Sequence, residues 1–482
     1  MLKAILPKRL WQRLSIAALA VAVAAAVFWP GSPRVRSFSW ADETVTWRDR
    51  DFELVFSHAI DPASVETGLE IEPPLPGQWE WNGKRATYRL DRPAPYGLDY
   101  VLRLTGATRA GGEAIEPFEA DFRSADRAIV YLGTGADESG ALVAYNFTQG
   151  ERQILTPADL SVMDYRLYPR GDRVLFSAIE RAADDRAPEI QLYTVATGAG
   201  DAPAGRLDRL LDGQNYQNLQ FDLALDGSVA VIQRADRQRP NAPFGLWAVR
   251  DGQAPMPIEA ESGGTFSIAP NGRALAVAQS EGIAILPLDP AANASEPVAF
   301  FRDFGRSLAF SEDGLKLALL RFNPDYTRSI FLSTDLGEPE ELLTLAGSVL
   351  DAQFDPTGNL LYCLLLAELD TETYLEQPRI VAIDLENLTL RELARLDAEQ
   401  RDLHFDLSPD GQAIVFDRLQ TVARGSDAAA ETGRDSPRTR SGDRVTGGDL
   451  QAIVPLLPLE NSDDRPTIEP LGLSGIRPRW LP

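Results

Sequence analysis

The chain has 482 residues, 44% of them hydrophobic and 24% charged, an ordinary globular composition with room for two or three domains of roughly 100–200 residues each. Residues 1–41 hold six basic side chains and no acid, so the remainder carries 41 basic against 71 acidic residues, a formal −30. A body of that sign is repelled by phosphate backbones and anionic headgroups, which argues against nucleic acid as a partner.

The N-terminus places Lys3, Lys8, Arg9 and Arg13 before the uncharged run Leu14 to Trp29, "LSIAALAVAVAAAVFW". Its 16 residues fall between the apolar core of a cleaved signal peptide, roughly 7–15 residues, and a spanning helix, roughly 17–25. The small-residue sites Ala22-Val23-Ala24 and Ala24-Ala25-Ala26 lie inside the run, and Trp29 closes it as an interfacial anchor would. A transmembrane anchor over residues 1–41 is therefore expected, with secretion after cleavage as the alternative. Either way the rest of the chain is exported, and no cysteine follows the run to carry a lipid.

Residues 42–124 alternate with period two, as in Phe52, Leu54 and Phe56, then Tyr100, Leu102 and Leu104, then Phe118, Ala120 and Phe122. This is the pattern of half-buried strands. Within "WEWNGKRATY" an Asn-Gly pair separates two such runs, because both residues tolerate the positive φ of a tight hairpin turn. In that register Trp79 and Trp81 share a face with Ala86 and Tyr88 and read as core. Short strands separated by Pro and Gly turns predict a small antiparallel sandwich. The segments "FELVFSHAIDPASV", "IEPPLPGQWEWNG", "YGLDYVLRLTG" and "PFEADFRS" resemble the Ig-like domain of bacterial S-layer and cell-envelope proteins. That resemblance implies a spacer or adhesion module and brings no catalytic residue.

A repeat follows. "YPRGDRVLFSA", "ALDGSVAVIQR", "APNGRALAVAQ", "SEDGLKLALLR", "DPTGNLLYCLL" and "SPDGQAIVFDR" place turn glycines at 171, 227, 272, 314, 358 and 411. The spacings of 56, 45, 42, 44 and 53 residues suit the roughly 40–50 residue period of propeller blades. In each copy an alternating strand meets the turn, an apolar strand leaves it, and two further runs complete four strands. Six such turns leave unmatched pieces at both ends. "RAIVYLG", "ALVAYNF" and "RQILT" have the character of second, third and fourth strands, and "IRPRWLP" that of a first strand. Pairing them predicts a seven-bladed β-propeller over residues 125–482, closed by strands from both ends and leaving no free sheet edge.

"FDLSPDGQAIVFDR" and "RQILT" resemble the WD-like repeats of TolB-type periplasmic propellers over roughly residues 127–482. Prolyl oligopeptidases carry a similar propeller, but with a hydrolase domain of a few hundred residues for which this chain has no room. The expected fold class is all-β apart from the N-terminal segment.

In this topology the short turns lie on one face of the disc, and the loops between second and third strands rise on the other. Those loops span 180–189, 235–244, 322–328 and 367–378. The longest, 420–448, is rich in Ser, Gly, Arg and Asp and reads as a disordered insertion. Variable loops on a rigid scaffold carry binding. Arg239, Tyr326 and Tyr374 are the candidate anchors there, because Tyr and Arg dominate interface hot spots.

Signs of chemistry are few. The only histidines are His58 and His404, both on strand-like segments, and "GLSG" lacks the spacing of a nucleophile elbow. No phosphate-cradling loop or Cys/His zinc spacing occurs. Calcium stays open without a full ligand pattern. The lone Cys363, in "LLYCLLL", permits no intramolecular disulfide and reads as a buried structural thiol. The expectation is a non-catalytic, membrane-tethered protein of the cell envelope, without catalytic residues, metal or cofactor, that engages an envelope protein or wall polymer. The alternative is an envelope glycan hydrolase or lyase with an acid pair across the central channel.

Overall fold

The computed structural model describes residues 32–181, 189–260, 264–288, 297–370, 375–398, 400, 403–422, 444–454 and 466–482. The basic leader and apolar run lie outside these residues. Among the described residues no helix is long and apolar enough to cross a membrane. The chain forms two compact units. One runs up to Asp91 and resumes over Leu98–Ser124; the other comprises Arg92–Gly97 and Ala125–Pro482.

In the first unit, Val35–Phe38, Asp51–Phe56, Arg85–Leu90 and Gly77–Asn82 form one sheet in that order. Thr44–Val45, Phe118–Ser124, Asp99–Leu104 and Leu69–Glu72 form the other. Aromatic rings join the two sheets. Phe38 meets Phe52 at 5.2 Å and Phe122 at 5.9 Å, and Trp40 lies 5.2 Å from Phe52 and 5.3 Å from Phe122. The hairpin turns at Asn82-Gly83, with Gly83 at φ 65° and Trp79 opposite Tyr88. Trp79 and Trp81 stack at 5.6 Å and cover Phe52 and Phe56 at 6.2 and 6.5 Å, so their rings close the edge of the core. One element departs from the all-β expectation. Pro62–Gly68 is a helix, started by Pro62 in a position where its missing N–H costs nothing.

The second unit is a series of four-stranded antiparallel meanders. Leu160–Leu167, Arg173–Glu180, Gln191–Ala196 and Leu207–Leu211 form one, and Tyr216–Leu223, Ala230–Asp236, Gly245–Val249 and Met256–Ile258 the next. Phe266–Ile268, Ala274–Gln279, Gly282–Pro287 and Ala299–Arg302 follow. Beyond them, single long strands serve two meanders each. Glu340–Phe354 is the fourth strand after Arg306–Phe310, Lys316–Phe322 and Thr327–Thr334, then the first strand before Leu360–Asp370, Leu375–Asp384 and Leu390–Arg395. Gly347, at φ 133°, sits at the changeover, where a Cβ would lie 1.9 Å from the Leu366 carbonyl oxygen. Only glycine fits there.

Thr467–Trp480 does the same. It completes the meander of Phe405–Leu407, Ile414–Val422 and Arg444–Val454, then pairs with Ala128–Gly133, placing Ile476 opposite Leu132 and Trp480 opposite Ile129. Leu142–Asn146 and Glu151–Ile154 extend that last sheet. The predicted first-strand character of "IRPRWLP" is realised by this pairing.

All six turn glycines have φ between 66° and 74°, the left-handed region that L side chains resist. At Gly272 a Cβ would also lie 2.5 Å from Ser228 Oγ of the neighbouring turn. The apolar second and third strands supply the interior between meanders. Val174, Phe176 and Val195, for example, are fully buried against Val130, Leu142 and Tyr165.

Candidate functional site

First strands of successive meanders converge on a cavity of about 600 Å³ lined by Asp164, Arg166, Gln220, Asp222, Thr265, Phe266, Ser267, Arg306, Ser307, Leu308, Asp351, Ala352, Gln353 and Arg479. The site arises from a positional rule. Counting back from each turn glycine, the residue seven before it is Asp164, Gln220, Thr265, Ser307, Asp351 or His404. The residue five before it is Arg166, Asp222, Ser267, Ala309, Gln353 or Asp406. Two residues apart along extended backbone, such positions tend to share a face, and nine of the twelve line the cavity, the exceptions being Ala309, His404 and Asp406.

The two positions do different work. The second set links neighbouring strands. Asp222 Oδ2 accepts the Ile268 N–H at 3.0 Å, Gln353 Oε1 accepts the Leu407 N–H at 2.9 Å, and Asp406 Oδ2 accepts the Trp480 N–H at 2.8 Å. Ser267 and Ser307 hydroxyls meet at 2.9 Å. Arg166, which has no acceptor to offer, instead reaches Asp222 at 3.5 Å. Neighbouring meanders are thus stapled together, and three of these links satisfy a backbone N–H.

Electrostatics follow from these pairings. Asp164 lies 3.2 Å from Arg166 and 4.0 Å from Arg477. Burial pushes its carboxyl up, but Arg166, Arg477 and Arg479 together hold it below the ordinary value. Asp406 is 3.2 Å from Arg479. Burial dominates there, and its carboxyl is pushed up to about 6 despite Arg479 and the Trp480 N–H. Arg306 donates to the Leu350 carbonyl at 3.1 Å. Arginines and carboxylates therefore both line the cavity.

The anchors expected from sequence lie elsewhere. Arg239 and Tyr326 both sit between second and third strands as predicted, and neither lines this cavity. Arg239 pairs with Asp236 at 2.8 Å. Tyr326 is 86% exposed at φ 69°, with Arg328 Nη1 donating to its carbonyl and the Arg328 guanidinium 4.8 Å from the ring of Phe322. Tyr374 lies outside the described residues, as does 423–443 of the expected disordered insertion. The cavity residues were missed because charge inside an alternating strand reads as its solvent face; the signal that finds them is their fixed offset from the turn glycine.

Catalytic constellations are sparse. Ser57 Oγ lies 3.0 Å from His58 Nδ1, and His404 Nδ1 is 3.4 Å from Asp417 Oδ2. Neither pair has a third member that would complete a nucleophilic triad among the described residues. No group of three His, Cys, Asp or Glu side chains suited to a metal occurs among the described residues. Cys363 is fully buried, and burial raises its thiol well above the ordinary value.

The strand pairings and the polar cavity at their convergence define a β-propeller protein. No family model and no curated protein matches the chain. Solved structures to which it is similar include TolB from Acinetobacter baumannii, at 12% identity over 86% of this chain and 83% of that one, with a TM-score of 0.40. The periplasmic gluconolactonase of Pseudomonas aeruginosa is similar at 14% identity over 74% of this chain and 99% of that one, TM-score 0.46. A putative 6-phosphogluconolactonase from Bacteroides fragilis is similar at 15% identity over 74% and 98%, TM-score 0.44.

Proposed function

We propose that this is an exported, membrane-tethered, non-catalytic binding protein of the cell envelope, in which an Ig-like spacer carries a seven-bladed propeller and the end bearing the loops between second and third strands engages an envelope protein or wall polymer. Tyr326 carries this reading. A bulky aromatic held 86% exposed in left-handed backbone is disfavoured both by conformation, on the order of 1–2 kcal/mol, and by apolar exposure, and strain of this kind is retained at functional surfaces.

The ring acids support binding over turnover, because Asp222 and Asp406 are each committed to an arginine and a backbone N–H. The raised carboxyl of Asp406, at about 6, favours the second reading, an envelope glycan hydrolase or lyase, since a general acid needs such a value.

The test is affinity capture from solubilised envelope with the full-length protein in detergent, beside pelleting with isolated cell wall and a screen for glycan turnover. Binding predicts a discrete partner or wall association that Tyr326→Gly weakens at least tenfold, and no turnover. Turnover abolished by Asp406→Asn with ligand still bound would establish the enzyme instead.

A further inference from the structure

The meander of Tyr216–Leu223, Ala230–Asp236 and Gly245–Val249 holds a buried arginine that makes no ion pair among the described residues. Arg234 is 8% exposed. Its guanidinium carbon lies 4.4 Å from the ring centroid of Tyr216 and 5.1 Å from that of Trp247, and these rings meet edge-on at 5.5 Å. Among the described residues the guanidinium has no hydrogen-bond acceptor and no ion-pair partner, and its Nε is wholly buried. Burial pulls its pKa below the ordinary arginine value, with Tyr216 and Asp212 opposing.

Its neighbours show how unusual this is. Arg237 donates to the Gly213 carbonyl and to Gln217 Oε1 at 3.1 Å each, and Arg239 pairs with Asp236. Aromatic faces return part of what a buried cation loses on leaving water, but they accept none of the five N–H donors of a guanidinium in a directed way. An oxyanion does, because its paired oxygens match the planar fork. Arg234 is also opposite Gly245, the first residue of the third strand, so it stands at the root of the loop 235–244.

We propose that Arg234, walled by Tyr216 and Trp247, is an oxyanion-binding site that takes one carboxylate or phosphate group of the partner. The site deepens the reading of the loop-bearing end as the binding surface and rests on it. A body with a formal charge of −30 after residue 41 repels polyanions, so the group recognised is a single oxyanion rather than a charged polymer backbone.

The test is calorimetric titration of the full-length protein, at low ionic strength, with inorganic phosphate and separately with acetate. Saturable binding of at least one anion is expected, weakened at least tenfold by Arg234→Met with the circular dichroism spectrum unchanged. Should Arg234→Met fail to fold, Arg234→Lys decides, since it keeps the charge and loses the fork, and weaker binding is again expected. Preference for phosphate assigns a phosphate group and preference for acetate a carboxylate. No saturable heat with either anion, or equal binding by a folded variant, overturns the site. Partner capture and its dependence on Tyr326 are read separately, so failure here leaves the loop-end reading standing, and failure there leaves the anion result standing.

Discussion

The backbone N–H of Trp480 donates to the Asp406 carboxylate at 2.8 Å, joining the last strand of the chain to the first strand of the preceding meander. That strand also pairs with Ala128–Gly133, and Tyr165 Oη lies within hydrogen-bonding distance of both Val130 O and Arg477 O, at 2.7 and 2.5 Å. The C-terminal residues therefore lock strands more than 300 positions apart in sequence.

Trp480 is 5% exposed, with Phe147 at 5.9 Å and the Arg127 guanidinium 5.9 Å from its ring. Trp480→Ala is expected to destabilise the second unit by about 3–5 kcal/mol, read as a lowered urea midpoint. An unchanged midpoint would mean that the pairing contributes little to closure.

Asp406 makes stability depend on pH. Its carboxyl is raised to about 6 in the folded chain, against roughly 3.9 unfolded. The native state binds the proton more tightly, so this group's contribution is fully present below about pH 4, falls as pH rises through 6, and is flat above. The roughly two-unit difference corresponds to at most about 3 kcal/mol. Asp406→Asn should flatten the profile of unfolding free energy between pH 4 and 7; a profile of unaltered slope would assign the dependence to other groups.

Asp410, in the last turn of the repeat, is 1% exposed and accepts from Tyr96 N–H at 2.9 Å, Gln412 N–H at 3.0 Å, the Ser408 hydroxyl and Arg127 at 3.2 Å. Asp410→Ala strands three donors and a cation, so a loss of about 3 kcal/mol is expected. Asp313, the corresponding acid in the turn of "SEDG", accepts among the described residues only from the Ser311 hydroxyl and the Leu315 N–H, and Asp313→Ala should cost about 1 kcal/mol. Equal effects in chemical denaturation would contradict this ranking.

Tyr326→Gly separates stability from function. Glycine occupies φ 69° without penalty, so the variant should be more stable by about 1 kcal/mol. A destabilised variant would show that the ring packs against something in solution and is not held out for a partner.

Much of the second unit was legible because its determinants are local. The turn glycines at 171 to 411 announce their backbone conformation, and the apolar runs beside them announce burial. The pairing of Thr467–Trp480 with Ala128–Gly133 followed from counting strands that lacked partners. What escaped depends on convergence in space. Asp164 and Asp351 look like solvent-facing charges in isolation and become cavity walls only when first strands meet. The changeover at Gly347 escaped as well, since one long strand serving two sheets leaves no turn signal. The helix Pro62–Gly68 was hidden in a segment too short for helical periodicity. Arg234 was invisible because its burial against Tyr216 and Trp247, without an acceptor among the described residues, exists only in the folded chain.

The most direct measurement of the binding reading is site-specific photo-crosslinking in cells, with a photoreactive amino acid at position 326, between second and third strands, and at position 315, in a short turn between first and second strands. Leu315 is 50% exposed, so both positions are accessible. A discrete crosslinked partner from 326 and none from 315 is the predicted result. A partner captured from 315 and not from 326 would place binding on the opposite end and contradict the proposal.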